Sequence, residues 1–138
     1  MSARDAFHYI VRSALEKDGW NITDDTLYVS FGRVDIEIDL AAEKLLAAER
    51  QGEKIAIEVK SFLTASAITE FHKALGQYIN YPTMLELDDP ERILHLAVPL
   101  SAYNNFFTRP FVQIIIQNNQ LKLLIYDNVK EEIVQWIR

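Results

Sequence analysis

The sequence contains no cysteine, and its 138 residues include only four glycines and four prolines. The lack of cysteine excludes disulfide bonds and thiolate metal sites, and it is typical of proteins from a reducing compartment. No apolar run approaches the roughly 20 residues that a transmembrane helix needs. The N-terminal segment carries scattered charges where a signal peptide has an apolar core. We therefore expect a cytoplasmic protein with no membrane association.

Basic residues are scarce as well. Fourteen lysines and arginines stand against 20 aspartates and glutamates, which gives a formal net charge of −6. This balance argues against binding of nucleic acid through a broad basic surface, because phosphate contacts supply much of such affinity. The 49% of hydrophobic residues is typical of a globular protein. The length suits one domain that covers residues 1–138.

The hydrophobic pattern predicts a mixed α/β fold, in which helices flank a central mixed β-sheet. Apolar residues recur at helical spacing from Phe7 onward, and Gly19 ends this first helix. A second apolar stripe begins at Ile68 and predicts a helix that ends at Pro82. A further short helix is expected over residues 101–107.

Two strands in the first half of the chain carry charged residues at alternate positions. The segment VDIEIDL, residues 34–40, alternates acidic and apolar residues, and KIAIEVK, residues 54–60, is apolar apart from its charges. We predict that these two strands pair as antiparallel neighbours. Residues 41–53 between them are polar and predict a loop or a helical turn that ends at Gly52.

The C-terminal half is predicted to complete the sheet. The segment ILHLAVPL is typical of a buried strand that ends at Pro99. Two apolar segments, 111–117 and 120–127, flank Asn118-Asn119 and predict a β-hairpin. Residues 129–138 are compatible with an edge strand or a last helix, and periodicity leaves both open.

Asp35, Glu58 and Lys60 form the candidate site. A period of two places Glu58 and Lys60 side by side on one strand face, and pairing of the two strands would bring Asp35 to them. Two carboxylates are suitable ligands for Mg²⁺ or Mn²⁺, which would activate a water for attack on a phosphodiester. Lys60 would orient that water or stabilise the developing charge. The alternative is a solvated strand face with a weak ion pair.

The order Asp35, a gap, then Glu58-x-Lys60 resembles the signature of the restriction-endonuclease-like PD-(D/E)XK nuclease superfamily. The resemblance implies a restriction-endonuclease-like core in which these three residues are catalytic and the two acids bind the metal. It also implies that Gln77, in ALGQY, lies near the site. Many members carry a glutamate on the first helix, and His8 is the candidate for that place here. For His8 and Gln77 an ordinary helix-surface role is the open alternative.

Over essentially the whole chain, from ARDAFHYIVRSALEKDGWNIT through ALGQYINY to EEIVQWI, the sequence resembles the cyanobacterial XisH family. That family is described as controlling the excision of a DNA element during heterocyst development, usually with a small companion protein, XisI. The resemblance implies DNA, an XisI-like companion and possible cooperation with a site-specific recombinase as partners. We also expect a homo-oligomer.

Two functions are compatible with these observations. One is a Mg²⁺-dependent endodeoxyribonuclease or nickase that acts in the excision or recombination of a DNA element. The other is a non-catalytic, nuclease-like accessory factor that binds the companion protein or DNA and regulates site-specific recombination. Paired carboxylates favour the enzyme, because their mutual repulsion raises a pKa or requires a cation. The acidic net charge favours the accessory factor.

Overall fold

The computed structural model describes residues 3–45, 52–63 and 66–138. Its elements follow one another without long irregular connections in these ranges. In chain order they are α1 (Ala3–Lys17), β1 (Asn21–Asp24), β2 (Leu27–Phe31), β3 (Val34–Ile38), β4 (Leu40–Leu45), β5 (Gly52–Val59), α2 (Ala67–Asp88), β6 (Arg92–Pro99), α3 (Leu100–Ala102), a π-helical turn (Tyr103–Phe107), α4 (Pro110–Asn119), β7 (Leu123–Asp127) and β8 (Glu132–Ile137).

Six strands form the main sheet in the order β1-β4-β5-β6-β7-β8, and β2 and β3 form a separate two-stranded ribbon. The central pairs β5–β6 and β6–β7 are parallel, while the outer pairs are antiparallel. The predicted mixed α/β fold with a central mixed sheet and flanking helices is therefore confirmed. Within the described ranges, no helix is long and apolar enough to cross a membrane.

The two faces of the sheet are covered by different helices. On one face, Leu15 of α1 packs in a buried cluster with Ile57 of β5. On the other, Phe71 of α2 packs with Leu96 of β6. Because successive side chains of a strand point to opposite faces, Glu58 lies on the α2 side of β5.

The predicted pairing of residues 34–40 with 54–60 is wrong over most of its length. Residues Val34–Ile38 pair instead with β2, and Asp35 lies opposite Ser30. The cause is a two-residue turn at Gly32 and Arg33, whose φ angles of 56° and 67° are both positive. Two successive positive φ angles are the geometry of a tight hairpin, so the turn folds β3 back onto β2.

The strand that does pair with β5 begins five residues after Asp35. Leu40 of β4 lies opposite Ile57, and Ala42 lies opposite Ile55. The expected loop or helical turn after residue 40 is therefore wrong up to Leu45, because small, fully buried alanines continue the strand. Residues 46–51 of that predicted loop lie outside the described residues.

Helix α2 does not end at Pro82 but continues to Asp88. A proline inside a helix costs about 3 kcal/mol, so another interaction must stabilise the last turns. Leu85, only 2% exposed, packs there with Ala56 and Leu94 of the sheet. The burial of this side chain offsets the cost of the proline.

The C-terminal segments differ from their predictions in two ways. Residues 111–117 lie in helix α4 and not in a hairpin strand, because Pro110 occupies the first helical turn and Val112 and Ile116 are buried on one helix face. Gln120 then ends the helix in a left-handed conformation. The open question about residues 129–138 is resolved as strand β8, which pairs with β7. The expected short helix at 101–107 is present as α3 and the π-helical turn.

Candidate functional site: an acidic pair beside a lysine

Glu58 is the most buried carboxylate of the described chain, at 6% exposure. It lies near the carboxyl end of β5, between Ile57, which is fully buried, and Val59, which is partly buried. Its Oε1 accepts a hydrogen bond from the backbone N–H of Asp39 at 3.2 Å. A buried carboxylate is costly unless it is paired, so the surroundings of its second oxygen decide what Glu58 does.

Asp39 is the carboxylate that the structure brings to Glu58. It lies at the bend between β3 and β4, directly before the pair formed by Leu40 and Ile57. Its Oδ2 accepts a hydrogen bond from the backbone N–H of Val59 at 2.7 Å. Each acid therefore binds the backbone of the other's strand, and these reciprocal bonds fix both side chains at the same place.

Asp35, predicted as a catalytic residue and metal ligand, is not part of this arrangement. It is exposed on the β2–β3 ribbon, where its carboxylate accepts a hydrogen bond from the hydroxyl of Ser30. Because the Gly32-Arg33 turn pairs β3 with β2, Asp35 lies in the ribbon and not in a strand that pairs with β5. The geometry assigns its predicted place beside Glu58 to Asp39.

Lys60 follows β5 directly, and its ammonium lies 3.8 Å from Oε2 of Glu58. Its backbone is fixed on both sides: the N–H donates to Ala97 at 2.9 Å, and the carbonyl accepts from the Tyr126 hydroxyl at 3.1 Å. The side chain is 15% exposed. The predicted proximity of Glu58 and Lys60 on one strand face is thus present in the structure.

The pKa of Glu58 is raised well above its ordinary value. Burial is the largest cause, and the negative charge of Asp39 and a hydrogen bond between the two carboxyl groups follow. Lys60 opposes the shift but does not cancel it. A pair of this kind holds either a shared proton or a cation.

His8 reaches the pair from helix α1. Its Nδ1 lies 3.9 Å from Oδ1 of Asp39, and its Nε2 lies 2.7 Å from Oδ1 of Asp25. Asp25 is also bound by Arg12 at 2.7 Å. Burial alone would raise the pKa of Asp25, but the hydrogen bonds from Arg12 and His8 outweigh it and lower that pKa. His8 is therefore held between two aspartates.

Gln77 approaches the site indirectly, through Tyr81 on the same helix. Its Nε2 donates to the Tyr81 hydroxyl at 3.2 Å, and its Oε1 is buried with no hydrogen-bond partner among the described residues. Burial and then the charge of Glu58 raise the pKa of Tyr81. Tyr81 thus lies within electrostatic range of the acidic pair, and Gln77 lies one hydrogen bond further away.

Sequence reasoning missed Asp39, Asp25 and Tyr81. The alternation of VDIEIDL places its three acids on the same face, so periodicity did not distinguish Asp39 from Asp35. The structure makes its side chain 18% exposed. A usable signal was present in the small, apolar Ala41-Ala42 after it, which indicates a buried strand that starts beyond Asp39.

The residues that could bind a divalent ion at this place are the two carboxylates, Asp39 and Glu58. Within the described ranges, no group of three or more histidine, cysteine, aspartate or glutamate side chains could hold a metal ion. Mg²⁺ is commonly bound by one or two carboxylates, with water and substrate phosphate as its other ligands. Asp39 and Glu58 could supply these carboxylates, because each keeps one oxygen to which no backbone N–H donates.

The fold and the site define a mixed α/β protein with a buried acidic pair and a lysine at the carboxyl end of a central strand. The chain belongs to the XisH family: the family profile described as "XisH protein" matches residues 1–134. No curated protein matches the chain.

Two solved structures are similar over almost the entire chain. One is an XisH family protein from Nostoc punctiforme PCC 73102, with 54% identity and a TM-score of 0.87 over 97% of this chain and 100% of that one. The other is an fdxN element excision controlling factor protein from Anabaena variabilis, with 54% identity and a TM-score of 0.88 over 98% of this chain and 100% of that one.

Proposed function

We propose that this protein is a metal-dependent DNA endonuclease or nickase that acts in the excision of a DNA element. The observation that carries the proposal is the buried pair of Asp39 and Glu58 with Lys60 beside it. Two carboxylates held together away from water need a shared proton or a cation, and the adjacent Lys60 favours a site at which a cation and a phosphate meet. The relative named as an excision controlling factor supports a role in excision.

In the proposed site, Asp39 and Glu58 hold a Mg²⁺ or Mn²⁺ ion. When bound, the ion would neutralise the carboxylates, polarise a phosphate oxygen and lower the pKa of a bound water. Lys60 is close enough to Glu58 to stabilise the negative charge that develops on the phosphate. His8 and Asp25 restrict the orientation of Asp39 from the α1 side. With Asp39 as its first acid, the motif resembles that of the restriction-endonuclease-like superfamily.

The proposed partners follow from the resemblance and from the site. DNA is the substrate, and an XisI-like companion or a site-specific recombinase would direct the protein to its target. A companion with a basic surface would also add an attraction for phosphates that a chain with a net charge of −6 provides poorly. Self-association into a homo-oligomer is part of the same proposal.

Cleavage assays test the enzymatic function directly. Purified protein, alone and with its companion, is incubated with supercoiled, branched and single-stranded DNA in Mg²⁺ or Mn²⁺. We expect cleavage that Asp39→Asn or Lys60→Met lowers by about 100-fold or more, since the first removes a metal ligand and the second removes the positive charge beside the reacting phosphate. Asp35→Asn is the matched control and retains activity. If no DNA is cut under any of these conditions, the enzymatic proposal is wrong.

The second candidate function is a non-catalytic accessory factor that binds the companion or a DNA junction and regulates recombination. The net charge of −6 supports it, and so does the limit of two acidic ligands in the described part of the chain. Co-elution with the companion separates the two functions. If the protein is an accessory factor, Asp39→Asn and Lys60→Met proteins still bind the companion and still affect recombination. If the protein is an enzyme, these variants bind the companion but no longer affect recombination.

A further inference from the structure

A cavity of about 230 Å³ lies at the carboxyl ends of β5 and β6, beside the proposed nuclease site. Ser61, which lines it, directly follows Lys60 in the chain. Phe7, which lines it from α1, directly precedes His8. Because consecutive Cα atoms are only about 3.8 Å apart, the cavity adjoins the proposed site from two directions.

The polar part of the cavity wall is uncharged. None of the described residues that line the cavity is acidic or basic, and its polar residues are Ser61, Ser101, Asn105 and Asn128. Ser101 and Asn105 are exposed, so a ligand that enters from solvent can reach them. Hydroxyl and amide groups both donate and accept hydrogen bonds. The wall therefore suits a neutral group with donors and acceptors more than it suits an ion.

The apolar part of the wall is largely aromatic. It includes Phe7, Phe62 and Phe106, and the rings of Phe62 and Phe106 lie with their centroids 6.3 Å apart. Aromatic side chains pack against other flat rings in offset or edge-on arrangements. The cavity volume is below the range of about 300–1,000 Å³ that is usual for drug-sized ligands, so it suits one small ring system.

We propose that this cavity binds an unstacked nucleobase of the DNA strand whose phosphate lies at Lys60. A nucleobase is flat, neutral and aromatic, and its edges carry both donors and acceptors, so it matches both parts of the wall. Asparagine amides pair with such edges in protein–DNA complexes, and Asn105 is the exposed amide of this wall.

This inference rests on the proposed nuclease function, which places the phosphate, and it defines the class of DNA that the site accepts. Removing a base from its stack costs free energy, and the cost is least where the base is already unpaired. A cavity that takes one base beside the cut phosphate therefore selects single-stranded or branched DNA over a regular duplex.

Fluorescence anisotropy of labelled oligonucleotides tests the contact with a base. The full-length protein, alone and with its companion, is titrated with single strands in Ca²⁺ to limit cleavage. The probes are adenylate, cytidylate and thymidylate oligomers of about ten nucleotides, and an abasic oligomer with the same number of phosphates. We expect at least one base-containing oligomer to bind about tenfold more tightly than the abasic one, because only a base can stack and pair in the cavity.

Substitution of Asn105 tests whether this difference arises in the cavity. Asn105→Ala should weaken binding of the base-containing oligomer by about threefold or more and leave binding of the abasic oligomer unchanged, since it removes a hydrogen bond that only a base can make. Asn104→Ala is the matched control. Asn104 is the neighbouring exposed asparagine and is not among the described residues that line the cavity, so both affinities should stay unchanged.

The inference is overturned if all oligomers bind equally, if none binds, or if Asn105→Ala weakens binding of both kinds alike. Free deoxynucleosides that bind as tightly as the oligomers would also overturn it, because the ligand would then not be a base of DNA. Cleavage in Mg²⁺ is measured on the same proteins. Cleavage without base-dependent binding contradicts this inference alone, whereas base-dependent binding without cleavage contradicts the nuclease reaction alone.

Discussion

The backbone N–H of Asp39 donates to Oε1 of Glu58, although the two carboxyl groups repel each other whenever both are ionised. The return bond, from the N–H of Val59 to Oδ2 of Asp39, holds the second acid in the same position. The backbone thus stabilises an arrangement that the charges alone would disrupt. Binding of a cation would remove the remaining repulsion.

Stability should fall as the pH rises through the raised pKa of Glu58. The folded state binds this proton more tightly than the unfolded chain, where the pKa is about 4.3. The stabilisation is therefore complete below pH 4.3 and is lost as the pH rises through the folded pKa. In Glu58→Gln protein, this pH-dependent fall in the free energy of unfolding is absent. Its size in the wild type is about 1.4 kcal/mol for each unit of pKa shift.

Urea denaturation of the metal-free protein between pH 5 and pH 9 measures this effect. Glu132→Gln, at an exposed glutamate on β8, is the matched control and retains the pH dependence of the wild type. Parallel pH profiles for wild-type and Glu58→Gln protein would show that Glu58 does not hold an extra proton in the folded state.

Mn²⁺ should raise the melting temperature of the wild type, because a ligand that binds only the folded state stabilises it by mass action. At 100 times the Kd the gain is about 2.7 kcal/mol. Asp39→Asn and Glu58→Gln should abolish the rise, since each removes one of the two carboxylate ligands. Differential scanning calorimetry measures the shift.

Asp35→Asn is the control that tests whether Asp39, as the structure indicates, or Asp35, as the sequence predicts, is the metal ligand beside Glu58. Its side chain binds Ser30 on the ribbon, so the variant should respond to Mn²⁺ as the wild type does. Loss of the response in Asp35→Asn, with retention in Asp39→Asn, would restore the sequence-based assignment of the metal ligand.

The fold class and the neighbouring positions of Glu58 and Lys60 could be predicted from the sequence because they depend on local periodicity. The sequence did not allow a prediction of which aspartate, Asp35 or Asp39, lies beside Glu58. Both are acidic residues of one alternating segment, and the turn at Gly32 and Arg33 decides which of them reaches β5. That turn depends on pairing with β2, which periodicity does not encode.

Helix α4 illustrates the same limit in another part of the chain. Its β-branched residues favour a strand, and Asn118-Asn119 is typical of a hairpin turn. Burial of Val112 and Ile116 on one face selects the helix. Tertiary packing thus overrides local preference, as it does where Leu85 stabilises α2 beyond Pro82.

Asp25→Asn should destabilise the protein by about 1 kcal/mol, because Arg12 and His8 each lose a charged hydrogen-bond acceptor on a partly exposed surface. Glu16→Gln is the matched control. It removes the other partner of Arg12, an exposed ion pair within one helix, and should cost about 0.3–0.5 kcal/mol. Urea denaturation measures both values. Equal costs would mean that Asp25 contributes no more than a surface ion pair.

Leu85→Ala should destabilise the protein by about 2–5 kcal/mol, since it removes a side chain that is 2% exposed and leaves a cavity against the sheet. Leu87→Ala, two residues later and 57% exposed, is the matched control, and its effect should stay within about 0.5 kcal/mol. Thermal or urea denaturation measures the difference. Because both leucines follow Pro82 in the same helix, similar losses would mean that helix propensity, and not burial, stabilises these turns.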